Sequence, residues 1–152
     1  LKFGEQKRVF SMIPGLENAQ FLRYGVMHRN TFLDSPGILG ADYRLLDEPR
    51  IAVAGQLCGV EGYVESAASG LYAAVSMANR IAGRDPVIFP CETAIGAMGD
   101  YVSRGNGGAF QPMNVNFGIM PPLDKRVRNK KERCEKIAAR ALEALANAKQ
   151  NI

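Results

Sequence analysis

Residues 54–70 read AGQLCGVEGYVESAASG, four glycines set among a glutamine, two glutamates and a tyrosine. The run IAVA precedes them, and a long Ala-rich segment follows. An apolar run, a glycine turn and a small-residue helix make the βα unit with which α/β folds hold phosphates and flavins. Backbone N–H groups at such a helix start carry partial positive charge, and glycine lets a ligand approach the main chain. The same spacing also serves plain strand-to-helix turns, and it is not the GxGxxG dinucleotide fingerprint. Ala67, Ala68 and Gly70 offer a smooth helix face for close packing.

Three other groups invite chemistry. His28, the single histidine, stands in MHRNTF. Cys58, Cys91 and Cys134 lack metal-ligand spacing, so no metal site is expected. Cys58 lies inside the glycine turn with no base or cation beside it in sequence, which makes it a small filler rather than a nucleophile. The third group is a basic run. Between Lys125 and Arg140 eight Lys/Arg face two Glu, whereas elsewhere eleven basic residues face thirteen acidic ones, so the net charge of +4 belongs to one segment. On a continuous helix Arg126, Lys130, Arg133, Lys136 and Arg140 share one face, beside an apolar stripe of Cys134, Ala138, Ala141, Leu142 and Leu145. Such a face suits either plain solvation or nucleic-acid phosphates.

The elements that must position these groups follow from pattern. Residues 4–11 predict a short helix closed by Pro14-Gly15, and 19–26 an extended strand. Residues 43–46 predict a short strand, and IAVAG (51–55) a buried one. Helices are expected over about 62–82, stopped by Gly83, over 92–103, and over 124–148 with Asp124 as N-cap. FQPMNVNFGIMPPL is too rich in Pro, Asn and Gly for regular structure and predicts an ordered loop. The 152 residues, 47% hydrophobic and 22% charged, suit one globular domain, and the expected βα unit points to the α/β class. There is no long apolar span, and LKFGEQKRVF has no apolar signal-peptide core. An odd cysteine count points to a reducing cytosol, and a start without methionine to a piece of a longer protein.

The string GQLCGVEGYVESAASGL resembles the C-terminal flavin-contacting segment of FAD-dependent tRNA-modifying proteins. IPGLENAQFLRYGVMHRNTF and FQPMNVNFGIMPPL resemble one branch of them, the methylenetetrahydrofolate-dependent tRNA (uracil-5-)-methyltransferases, and the likeness runs in order over essentially the whole chain. The resemblance implies the C-terminal part of a glutathione-reductase-like, Rossmann-type FAD fold, incomplete without its N-terminal half. Residues 1–36 would border the family's inserted domain. It implies FAD as cofactor, methylenetetrahydrofolate and NAD(P)H as co-substrates, and methyl transfer to C5 of the T-loop uridine of tRNA. The GxGxxG and the nucleophilic cysteine would lie upstream, leaving no catalytic residue and no competent enzyme in this chain alone.

By the same resemblance Gly55, Gln56, Gly59, Val60, Glu61, Gly62 and Tyr63 contact FAD. The backbone of residues 60–62 would meet the flavin's pyrimidine edge, and Tyr63 would stack on the isoalloxazine. His28, with Arg29 and Asn30, would meet the folate. Arg126, Lys130 and Arg133 would meet tRNA. A sister family that builds aminomethyl groups on wobble uridines shares GYxExAAxG but resembles this chain only there. A non-catalytic RNA-binding module is the alternative of a different class.

Overall fold

The computed structural model describes residues 1–25 and 30–149, in two compact units, Leu1–Asn30 and Thr31–Ile152. In the first, helix α1 (Phe3–Phe10) ends at a turn in which Gly15 takes φ +89°. Gln6 fastens this unit: its side-chain amide donates to the Leu1 carbonyl (2.8 Å) and accepts from the Gly25 N–H (3.3 Å). Phe10, Phe21 and Tyr24 stack at centroid distances of 5.6 and 5.3 Å. The strand expected at 19–26 does not form over its described residues, 19–25, whose backbone is irregular.

The second unit is built on α2 (Tyr63–Ile81), α3 (Ala94–Arg104) and α4 (Lys130–Ala148). Ser69, Tyr72, Ala73, Ser76 and Asn79 form the buried face of α2, at the helical spacing of three and four residues. Each serine there has a partner: Ser69 accepts from the Gly55 N–H and donates to the Ser66 carbonyl (both 2.8 Å), and Ser76 donates to Asp42 (2.9 Å). Ala67 is exposed and a Cβ at Gly70 would meet nothing, so of the three small residues the sequence singles out only half-buried Ala68 faces inward. Tyr72 stands edge-on to both Tyr43 (5.6 Å) and Phe89 (4.7 Å), pairings worth about 1 kcal/mol each beyond the area they bury. Gly83, at φ +70°, closes α2 as expected.

Helix α3 starts where the Thr93 hydroxyl accepts from the Gly96 N–H (3.0 Å) and donates to the Pro90 carbonyl (2.7 Å). Its small residues are required: a Cβ at Gly96 would strike the Pro90 carbonyl, and one at Gly99 the Ala41 carbonyl.

The expected α/β character is not seen among the described residues. Segments 38–40, 43–46 and 51–53 exchange only the isolated antiparallel bridges Leu39–Leu45 and Arg44–Ala52. Tyr43, the one non-glycine residue with positive φ (+65°) among those described, breaks the extended run. Ile51 is 50% exposed, so IAVAG is not a buried strand here. A ladder needs successive pairs along two segments, and the described residues give this segment one isolated bridge. Residues 110–123 form the irregular ordered loop that their composition predicts, and the irregular chain continues to Asn129, where a helix was expected from Asp124. Among the described residues no helix is long and apolar enough to cross a membrane, and no cluster of His, Cys, Asp or Glu could hold a metal ion.

Candidate functional site

Gly55–Cys58 form a single 3-10 turn, and Gly59 (φ +89°) leads from it to Val60, Glu61 and Gly62, the N-cap of α2 (φ +89°). Both φ values suit glycine. At Gly59 space demands it too, since a Cβ there would lie 2.5 Å from the Phe110 ring; at Gly62 a Cβ would meet only the movable tips of Glu65 and Asn114, so there φ alone asks for glycine.

The turn is stitched to the loop that follows α3. The Glu61 N–H donates to the Met113 carbonyl (3.0 Å), and the Met113 N–H to the Gly59 carbonyl (3.1 Å), a parallel bridge between Val60 and Met113. The Val60 N–H donates to the Gly55 carbonyl (3.2 Å), and its own carbonyl accepts from the Ser66 hydroxyl (3.1 Å). From the other side Leu33 N–H reaches the Leu57 carbonyl (2.8 Å), and the Ser35 hydroxyl the Cys58 carbonyl (3.0 Å).

These bonds divide the predicted contacts. Val60 is fully buried with both backbone groups engaged, and the Glu61 N–H is engaged as well. Both therefore position the turn rather than offer it. What the turn presents outward is Gln56, which is exposed, Tyr63, which is 98% exposed, and the start of α2, where Gly62 has no side chain to cap the first N–H groups. Cys58 is buried, its thiol aimed at the Gly55 carbonyl (3.0 Å), and burial pushes its pKa up to about 11. It is an inert filler.

His28 and Arg29 lie outside the described residues. Asn30 is exposed, in the first unit.

The basic segment departs most from expectation. Helix α4 begins after Asn129, not Asp124: the Asn129 side-chain oxygen Oδ1 accepts from the N–H groups of Lys131 (2.9 Å) and Glu132 (3.2 Å). An amide at the cap with Glu three residues on is the stronger start signal. Lys125, Arg126 and Arg128 thus sit on irregular chain ahead of the helix. Arg140 leaves the charged face altogether, donating to the carbonyls of Pro121 (2.5 Å) and Pro122 (2.8 Å). The apolar stripe centres on buried Ile137, while Leu142 stays 68% exposed. Arg126, Lys130 and Arg133 do come together, along one groove with Phe117, Met120 and Ile137.

The family described as glucose inhibited division protein A matches residues 1–85, more than half of the chain. The chain belongs to this family. Over 98% of its length it is 58% identical to the methylenetetrahydrofolate–tRNA-(uracil-5-)-methyltransferase TrmFO of Ligilactobacillus salivarius, covering 34% of that protein. The TrmFO proteins of Listeria innocua and Staphylococcus aureus are 53% and 54% identical over the whole chain, which covers 35% of each. This family member thus spans about a third of the length of the curated relatives it matches. Its matched region takes in the glycine turn and all of α2.

Proposed function

We infer that this chain is the flavin-contacting C-terminal part of a folate-dependent tRNA (uracil-5-)-methyltransferase with a Rossmann-type FAD fold. The observation that carries the reading is identity of 53–58%, end to end, with relatives bearing that name. The turn fits FAD on its own geometry: α2 opens with a bare glycine cap, and Gln56 and Tyr63 stand exposed beside it.

Bound FAD would supply redox and one-carbon-transfer chemistry linking NAD(P)H and methylenetetrahydrofolate to the uridine. The chain's own residues bind and orient. The N–H groups of Gly62, Tyr63 and Val64 have no acceptor among the described residues and would meet the electron-rich pyrimidine edge, with the α2 dipole adding positive potential. Gln56 would hydrogen-bond the ribityl chain, and Tyr63 offers an aromatic face to a flat ring system. Gly55 and Gly59 give the turn its path, while Val60 and Glu61 hold it to Met113. His28, Arg29 and Asn30 are assigned to the folate, the arginine matching a glutamyl carboxylate.

The test is the full-length protein containing this chain, incubated with methylenetetrahydrofolate, NAD(P)H and unmodified tRNA. Yellow protein and a methyl group on the T-loop uridine are expected. Colourless folded protein, or aminomethyl chemistry at the wobble position instead, would overturn the assignment.

A further inference from the structure

The basic segment has eight Lys/Arg, and the fold sorts them into two sets. Lys136 pairs with Glu132 (2.7 Å), Lys131 lies 4.0 Å from Glu135, and Arg140 is spent on the two proline carbonyls. The five that remain are Lys125, Arg126, Arg128, Lys130 and Arg133. None has a carboxylate within 4.0 Å among the described residues, all are exposed, and all five line the same groove of about 930 Å³. Asp124 is the only acidic residue lining it. The start of α4 opens on this groove as well, so its dipole adds to the positive field. Phe117, 45% exposed, supplies an aromatic edge that the helix sequence lacks.

Five unpaired cations gathered on one concave surface raise its positive potential and favour an anionic partner over a bare solvated face. Three sit on irregular chain and two on the first turn of a helix, so the fold gathers them from two segments. The geometry points to this groove as the seat of the RNA sugar–phosphate backbone, holding tRNA through phosphates rather than through bases. The inference rests on the tRNA reading above.

The experiment is binding of tRNA by the full-length protein at several salt concentrations, wild type against Arg126→Gln/Lys130→Gln/Arg133→Gln. Each phosphate contact contributes about 0.9 to the slope of log affinity against log salt, so losing three makes the fall between about 50 and 200 mM salt roughly 40-fold shallower. A Lys131→Gln/Lys136→Gln control removes charge from the same helix but not from the groove, and should keep the wild-type slope. Flavin content and melting temperature monitor folding. Should the triple variant not fold, Arg126→Gln alone, on exposed chain outside the helix, should lower the slope by about one unit. Wild-type affinity and slope in a folded groove variant would overturn the inference and leave the tRNA reading standing. So would displacement of tRNA by polyglutamate at equal charge, which would make an acidic polypeptide the fitting partner. Wild-type protein that binds no tRNA at any salt would remove the functional reading, and this inference with it.

Discussion

Gly59→Ala tests how the glycine turn is held. The substitution puts a methyl group about where the ideal Cβ lies, 2.5 and 2.6 Å from two Phe110 ring carbons, at a residue with φ +89°. Left-handed backbone costs an alanine about 1 kcal/mol, and forcing an extra carbon into a packed core costs about 1–3 kcal/mol more. Phe110 cannot yield easily, since it is buried, tilted against Tyr101 at 5.4 Å and edge-on to Phe32 at 6.3 Å. A loss of about 3 kcal/mol corresponds to a melting temperature lower by roughly 10 °C for a domain of this size. Thermal melting of wild type, Gly59→Ala, Phe110→Leu and the double variant forms the cycle. The steric part should return in the double variant as a favourable coupling of about 1–2 kcal/mol, while the backbone part should remain. Strictly additive costs, or Gly59→Ala melting with wild type, would refute the reasoning. One consequence concerns the cofactor. Because Phe110 occupies the space above Gly59, flavin loss in Gly59→Val would report a broken turn rather than a blocked ligand.

Tyr63→Ala is the cleaner probe of flavin contact. Its ring is almost wholly exposed, so the variant should melt with wild type yet bind FAD more weakly in a fluorescence titration of the full-length protein; unchanged affinity would remove Tyr63 from the site. Arg140→Met should cost about 1–3 kcal/mol by stripping the Pro121 and Pro122 carbonyls of their charged donor, seen as faster amide exchange along α4. Arg140→Lys should recover only part, since an ammonium cannot span both oxygens as the guanidinium fork does. Cys58, with its pKa pushed up by burial to about 11, should be only about 0.1% thiolate at pH 8, rising as pH climbs through that value. Iodoacetamide labelling read by mass spectrometry should therefore spare Cys58 in the native protein and reach it in denaturant; ready native alkylation would contradict its burial.

Local signals determined the helices. Residues of α2 repeat buried groups at three- and four-residue spacing, and Gly83 marks its end by a left-handed φ that glycine alone accepts cheaply. The irregularity of residues 110–123 is equally plain from Pro, Asn and Gly content. The glycine turn was legible as a string, because Gly59 and Gly62 need positive φ wherever the chain goes afterwards. What the sequence could not say is which groups the turn would spend on itself. Val60 and Glu61 lose their N–H groups to Gly55 and Met113, and the second of those bonds spans more than fifty residues. Strands failed for the same reason: IAVAG has the composition of one, but a strand exists only where another segment completes its ladder. At the basic segment, Asn129 followed by Glu132 carries a stronger helix-start signal than Asp124 does, and α4 starts there. The sorting of its cations was not readable. Arg140 finds Pro121 and Pro122 nearly twenty residues back, and the other five meet around a groove only when loop and helix fold together. Backbone propensity and φ preference act within a few residues and so survive in sequence; hydrogen-bond partners and charge neighbours are settled by distance in space, which only the tertiary structure supplies.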